Sequence, residues 1–378
     1  MKLRVERDVL AEAVGWTARS LPSRPPVPVL AGLLLETTDE GVLRLSGFDY
    51  EVSAQVEVPA QVDDPGRALV SGRLLADICR SLPDKPVDLV QDGAKIVLTC
   101  GASRFTLMTM PVEEYPARPQ MPAEAGTVAS DVFSQAVAQV TVAASRDETL
   151  PILTGVRLEI DGEKVTLMAT DRYRLALREL PWRPASGDLE SATLVRARTL
   201  SEVAKTLGSG GDVTVALSSD GSGGQDLIGF SAGGRRTTSL LVDGDYPKVR
   251  ALFPASAQTH AVVETGALVE AVRRVALVAE RNTPVRLSFS DGQVTLEAGQ
   301  GDDAQASEAL AASLVGEDIT IAFNPSFLLD GLGALGTSHV RLSFTQATKP
   351  AVLTGQSSAD GDDDTAYKYL LMPVRMAG

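Results

Sequence analysis

The groups in this 378-residue chain that could do chemistry are few and badly spaced for it. His260 and His339 are its only histidines, and no C-x-x-C or H-x-x-x-H spacing accompanies them. Neither a metal site nor a His-based triad is expected from that set. No G-x-S-x-G marks a nucleophile elbow. Cys79 and Cys100 are too few for a disulfide framework, and their apolar contexts suit buried thiols. Glycine clusters at 208–211, 221–224 and Gly233-Gly234 lack the Lys-Ser or Lys-Thr of a phosphate loop and the G-x-G-x-x-G spacing, so they read as turns. The run Asp360, Asp362, Asp363, Asp364 lacks the alternating ligands and terminal Glu of a calcium loop and reads as a solvated connection between strands. Asp49 and Asp171 are the carboxylates that could act as acid or nucleophile. They stand at one position of an internal repeat, which favours a turn role. No catalytic residue, metal or cofactor is assigned.

That repeat organises the chain. Val156, Leu158 and Ile160 alternate, Asp161-Gly162 turns the chain, and Val165, Leu167 and Ala169 alternate again, the pattern of a hairpin. Leu33 and Leu35 lead through Glu40-Gly41 to Leu43 and Leu45 in an upstream copy. Val285, Leu287 and Phe289 lead through Asp291-Gly292 to Val294, Leu296 and Ala298 in a downstream one. The offsets are 122 residues from Asp49 to Asp171 and 129 from Val165 to Val294, too long for a solenoid and right for three similar domains. Each third adds two helices: Arg7 to Ser20 and a helix N-capped by Ser71; Ser130 to Ala144 and Thr199 to Leu207; Gly266 to Ala279 and Pro325 to Leu335. With about eight strands apiece, the expected class is α+β, as domains 1–122, 123–255 and 256–378. Pro- and Ala-rich segments mark the joins.

The formal net charge of −14 argues by itself against nucleic acid, since phosphate binding needs a basic surface. Basic residues nevertheless recur on or beside the helices: Arg7, Arg19, Arg24, Arg73, Arg80, Arg146, Arg196, Arg198, Lys205, Arg273 and Arg274. A solvated face is the default reading of any one of them; together, on one side, they would make a basic surface on an acidic protein. Apolar residues in turns, around Leu153, Leu175, Val249 and from Leu370 to Met376, read either as core or as an adaptable docking surface. The N-terminus lacks a signal-peptide pattern and no run approaches about 18 apolar residues, so a cytoplasmic location without membrane contact is expected.

Three stretches carry a family resemblance: Ala169-Thr170-Asp171-Arg172-Tyr173-Arg174-Leu175-Ala176, Phe323-Asn324-Pro325-Ser326-Phe327-Leu328-Leu329-Asp330, and Tyr369-Leu370-Leu371-Met372-Pro373-Val374-Arg375. With the threefold repeat they resemble the bacterial sliding clamp, the β subunit of DNA polymerase III, over essentially the whole chain. The Ala-, Arg- and Gly-rich usage suggests an actinobacterial source. The resemblance implies a DNA-clamp fold, closed as a head-to-tail homodimer into a ring with helices inside, around double-stranded DNA bound without regard to sequence. The partners it implies are the replicative polymerase alpha subunit, a clamp loader, and other polymerases and repair proteins carrying clamp-binding peptides. It implies a processivity factor with no active site of its own.

By position, the resemblance places a partner-peptide pocket at Leu153, Thr170, Arg172, Tyr173, Arg174, Leu175, Lys248, Val249, Asn324, Leu370, Met372, Pro373, Val374 and Arg375, with Arg174 and Arg375 orienting the peptide's backbone or acidic groups. Arg172-Tyr173 replaces the Gly-His pair common in enterobacterial members. DNA contacts are expected at Arg24, Arg73, Arg80, Arg146, Arg196, Arg198 and Lys205. The ring joint is expected from Arg104, Phe105 and Leu107 on one side and Leu277, Val278, Asp302, Asp303 and Glu308 on the other. Two further readings compete: an acidic hydrolase using Asp171 or another carboxylate, and a structural oligomer without DNA.

Overall fold

The structure, a computed structural model, describes residues 1–38, 41–187, 189–207, 211–218, 226–279, 283–299 and 304–375. Asp302 and Asp303 of the expected joint, Met376, Glu40 and the glycines at 208–210 and 221–224 therefore lie outside the described residues. Helices and antiparallel strands make up the fold, the expected α+β class. Among the described residues the α-helices are α1 (Arg7–Ala18), α2 (Gly72–Ser81), α3 (Ser130–Thr141), α4 (Ala197–Leu207), α5 (Thr265–Val275) and α6 (Pro325–Leu335), two to each third. α1 ends earlier than its apolar pattern suggests, because Arg19, Ser20 and Leu21 bond back three residues rather than four. Ser71 does stand before α2, but its hydroxyl makes no capping bond, which corrects the expectation.

All three hairpins form as the alternation requires. Leu35 faces Leu45, Leu158 faces Leu167, and Leu287 faces Leu296 across their pairs. Gly41, Gly162 and Gly292 turn the three chains with φ of 74°, 56° and 80°, a conformation that costs glycine nothing.

The chain folds into two compact units. The first comprises Met1–Asp131, Arg183–Ser186 and Glu202–Leu241. Its strands form one fourteen-stranded sheet, in which Val52–Pro59 pairs with Arg235–Leu240, Val56 opposite Arg235. Leu10 and Val14 of α1 and Leu75 and Cys79 of α2 sink into a core with Leu35, Leu43, Leu45 and Leu98. Each such burial stabilises by about 1.5–3 kcal/mol against exposure.

The second unit comprises Val132–Trp182, Gly187–Ser201 and Val242–Gly378. It holds a nine-stranded sheet, in which Arg174–Pro181 pairs with Tyr367–Leu371, and a four-stranded sheet ordered Ala306–Ala311, Gln293–Ala298, Val285–Ser290, Ile319–Phe323. The middle third of the sequence thus supplies Ala123–Ala129 and Asp212–Leu217 to one unit and Gly155–Asp161 to the other.

Candidate functional site

The segment Thr170 to Arg174 is a tight polar turn. Asp171 Oδ1 accepts the backbone N–H groups of Tyr173 (3.0 Å) and Arg174 (3.1 Å). Thr170 Oγ1 donates to Arg174 O (2.7 Å) and accepts from Arg172 N (3.2 Å). Arg172 is thereby held at φ 81°. The first copy repeats this: Asp49 Oδ1 accepts from Glu51 N (3.0 Å) and Val52 N (2.6 Å), and Tyr50 has φ 75°. Among the described residues, Tyr50 and Arg172 are the only non-glycines with positive φ. The carboxylates that sequence alone could have made catalytic are spent satisfying backbone donors.

Arg174 departs from expectation. It is 5% exposed, and donates from Nε to Asp171 Oδ2 (2.9 Å) and from Nη1 to Asp330 Oδ2 (2.6 Å). Its guanidinium lies 4.3 Å from the centroid of the Phe327 ring. Burial works against its charge, but Tyr369, Asp330 and Asp171 outweigh that and raise its pKa above the ordinary arginine value. So occupied, Arg174 holds the wall together instead of reaching toward a ligand. Phe327, Asp330 and Tyr369, none of them among the expected pocket residues, complete the arrangement: Tyr369 OH donates to Phe327 O (2.8 Å), and the Tyr173 ring stacks on Phe327 at 6.0 Å. Phe327 and Asp330 are three apart on α6, the one signal in the sequence that they share a face.

Behind the turn, Leu175, Val249 and Leu370 join Met168, Leu177, Leu194, Tyr246 and Val352 in one apolar cluster, with Ile152 and Phe253 against it. Leu175, Val249, Leu370 and Leu153 are buried, the core reading of the two that their turn contexts left open. The reason is pairing: Leu175 lies opposite Leu370 in adjacent strands. What remains on the surface is Arg172, Tyr173 at 61% exposure, Lys248, Met372 at 40%, and Arg375, with Pro373 and Val374 half-buried. The tail is fixed by Met372 N–H donating to Tyr173 O (2.9 Å) and Val374 N–H to Ala322 O (2.8 Å). The second unit therefore brings the turn, the tail and α6 together around an apolar floor.

Asn324 has a structural task of its own. Its Oδ1 accepts from Ser326 N (2.9 Å) and Phe327 N (3.2 Å), capping α6 ahead of Pro325. Asn324→Ala is expected to lower stability by about 1 kcal/mol, read as a lower thermal midpoint.

The basic residues divide by partner. Arg80 pairs with Asp77, Lys205 with Glu202 and Arg273 with Glu270, each one helical turn away. Such exposed pairs contribute only a few tenths of a kcal/mol and yield readily to a phosphate. Arg24, Arg73, Arg146 and Arg198 are exposed and form no ion pair among the described residues, while Arg196 is exposed. Arg73, Asp77 and Arg80 fall at i, i+4 and i+7 on α2, and Arg198, Glu202 and Lys205 repeat that spacing on α4, so each helix presents one basic stripe. Arg7 pairs with Asp8 and Asp84. The acidic run is partly anchored rather than solvated: Asp363 accepts from Gln356 and Arg341, and Asp364 from Arg178. Burial, then Cys100, pushes the Cys79 thiol up to about 12, so it is inert as expected.

Two strand edges stand open. Strand Ser103–Met110 pairs along one side with Lys95–Cys100, and on the other meets Arg67–Ser71 only through Thr109 and Met110. Strand Ala306–Ala311 pairs with Gln293–Ala298 and, among the described residues, with nothing beyond. Leu107 is a correction: it is 3% exposed inside the first unit's core and has no apolar surface to offer a partner. Phe105 packs half-buried on the same core, while Arg104, Thr106 and Met108 face out. Leu277 is 84% exposed, Val278 half-buried, and Glu308 is held by both Nε (3.0 Å) and Nη2 (2.6 Å) of Arg274.

Comparison with known proteins gives this geometry a lineage. The N-terminal, central and C-terminal domains of the DNA polymerase III beta subunit match residues 1–119, 127–248 and 250–375 in succession. The chain belongs to the DNA polymerase III beta subunit family. Over all 378 residues it is 60% identical to the beta sliding clamp of Streptomyces coelicolor, both chains being covered in full. It is 59% identical to that of Micrococcus luteus, over 83% of this chain and 100% of the relative. The actinobacterial source suggested by residue usage agrees with these relatives. Among solved structures, the sliding clamp from Bacillus subtilis superposes with a TM-score of 0.91 at 26% identity, and the clamp from Pseudomonas aeruginosa bound to griselimycin with 0.91 at 28%, each covering 100% of both chains. The fold is thus that of the beta subunit family, as its repeats implied.

Proposed function

We propose that this chain is a DNA polymerase processivity factor: a sliding clamp that encircles duplex DNA as a head-to-tail homodimer and tethers the replicative polymerase through a peptide pocket. The observation that carries the reading is the succession of three beta-subunit domains along one chain, with full-length identity of 60% to a beta sliding clamp. The domain divisions 1–122, 123–255 and 256–378 belong to the proposal, as does cytoplasmic action; no helix among the described residues is long and apolar enough to cross a membrane.

The charge conflict then has a physical resolution. A chain of net charge −14 repels DNA as a whole, so equilibrium affinity is weak. A ring does not need affinity to stay on a duplex. Stripes such as Arg73 with Arg80, and Arg24, Arg146, Arg196, Arg198 and Lys205, would face the phosphates and exchange them as the ring moves, without reading bases. The two open edges support closure: strand Ser103–Met110 of one protomer against strand Ala306–Ala311 of the next would complete a sheet across the joint, with Leu277 and Val278 beside it. The clamp loader, other polymerases and repair proteins would share the pocket formed by the 170–175 turn, Val249, Asn324 and the 370–375 tail. Catalysis forms no part of the role.

Loading the protein onto nicked circular DNA with a loader and ATP tests the topology. It is expected to remain through gel filtration in high salt while the circle is closed, and to be released once a restriction enzyme linearises the circle. Equal retention on linear DNA with free ends would overturn encirclement.

A further inference from the structure

The backbone of the site around the 170–175 turn is built twice. In the second unit the Met372 N–H donates to Tyr173 O, and in the first the Leu240 N–H donates to Glu51 O (2.9 Å), at the same place beyond the repeated aspartate turn. The strand registers agree. Met168 faces Leu177 and Leu175 faces Leu370 in the second unit, where Ser46 faces Gln55 and Ser53 faces Thr238 in the first. One strand further on, Val352 beside Leu370 corresponds to Gly229 beside Thr238. The apolar floor of the second unit is thus, in the first, a floor of hydroxyls, an amide and a glycine.

The chain that meets the two floors differs as well. Glu114-Tyr115-Pro116 matches Asp245-Tyr246-Pro247, so Arg118 corresponds to Val249. Val249–Leu252 winds into one turn of 3₁₀ helix, and Val249 joins the apolar cluster. In the first unit Arg118 and Met121 each precede a proline, which keeps them out of helical geometry, and residues 116–122 form neither helix nor strand. Prolines at every third position, Pro116, Pro119 and Pro122, favour a polyproline path, in which Arg118 and Met121, also three apart, look the same way. Arg118 donates to Ser46 Oγ, to Gln55 Oε1 (2.9 Å) and to Glu36 Oε2 (2.9 Å), while Met121 lies so close over Gly229 that no Cβ would fit there. Ser46, Ser53 and Thr238 are buried although polar.

We infer that residues 117–122 are a resident ligand: latched by Arg118, they fill the first unit's copy of the docking groove and so hold each protomer to one docked peptide. This rests on the peptide-docking reading above. An apolar anchor has no hydrogen bond to offer Ser46 or Gln55. A peptide arriving from outside would have to displace Arg118 and leave those groups and Glu36 without their partner, which costs more than the apolar burial returns.

Two readouts on the full-length protein test this. Thr238→Cys puts a thiol on the covered floor, while Cys79 and Cys100 are buried and give little background. Its labelling by a maleimide is expected to run about tenfold faster when Arg118→Ala removes the latch, with Glu36→Gln alongside so that no carboxylate is left unpaired. Unchanged labelling would overturn the latch. In the same Glu36→Gln protein, Ser46→Met, Gln55→Leu and Arg118→Val together rebuild the second unit's floor in the first. That variant is expected to bind two molecules of a fluorescein-labelled Leu- and Phe-bearing peptide per protomer, against one for the unaltered protein. A single bound peptide on a variant that melts and sediments normally would overturn the inference while leaving docking in place. Should the variant fail to fold, the thiol readout decides. If the unaltered protein binds no peptide, the docking reading fails, and the thiol readout alone then judges the strap.

Discussion

Thr106→Pro is expected to leave a folded monomer of 39.7 kDa where the proposed homodimer of the unaltered protein would run at twice that mass. Thr109 N–H donates to Ala94 O at 3.0 Å, and N–H directions alternate along a strand. Phe105 and Leu107 therefore also donate into their own sheet, and Arg104, Thr106 and Met108 donate outward from the open edge. Proline at Thr106 removes an outward N–H and puts a ring in the path of an incoming strand, yet costs no bond within its own sheet. Edge strands accept proline on these terms. If the joint is an extension of this sheet, the loss should be near complete at micromolar concentration, and retention on circular DNA should vanish with it. Analytical ultracentrifugation decides the matter. An unchanged dimer would place the joint elsewhere, and a lower melting temperature would mean that the edge was not free.

The second large effect separates binding from folding at the proposed pocket. Met372→Ala should weaken capture of a Leu- and Phe-bearing peptide about tenfold while leaving the melting temperature alone, because Met372 is 40% exposed and its backbone, not its side chain, holds the tail. Leu175→Ala should do the reverse in order of severity. At 1% exposure inside the cluster with Tyr246, Val249 and Leu370, it costs about 3 kcal/mol of stability, and any loss of peptide follows from a disturbed floor. Calorimetry of peptide binding alongside thermal melts distinguishes the two. A stable Leu175→Ala protein that has lost all binding would show that the leucine touches the peptide directly.

The hairpins were legible because their signal is local: period-two alternation ending in glycine turns, with the glycines at positive φ as such turns demand. α6 was legible for a similar reason, since Asn-Pro both caps and starts it. The wall of the site was only half legible. Asp171 could be recognised as a turn former from its repetition, but the partner of Arg174 lies 156 residues away, and no local pattern points to Asp330. Whether Leu175 and Leu370 were core or surface stayed open for the same reason, since their burial depends on one strand facing another from the end of the chain. Leu107 is different. Alternation along Ser103–Met110 already turns Leu107 to the face opposite Arg104, so the strand's own period could have marked its side chain as core.

The pairing of Val52–Pro59 with Arg235–Leu240 has a bearing on biosynthesis. A ribosome that has completed Val52–Pro59 must add roughly 180 more residues before the strand that covers its open edge emerges, about ten seconds or more at ordinary elongation rates. Until then the nascent chain displays one open edge of Val52–Pro59, whose other edge is paired with Val42–Phe48, beside other nascent chains on the same message. Arg174–Pro181 waits similarly for Tyr367–Leu371, which come almost at the end. Maturation should therefore proceed in two delayed closures, each a moment when a slowed ribosome or a holding chaperone would most change the yield of usable protein.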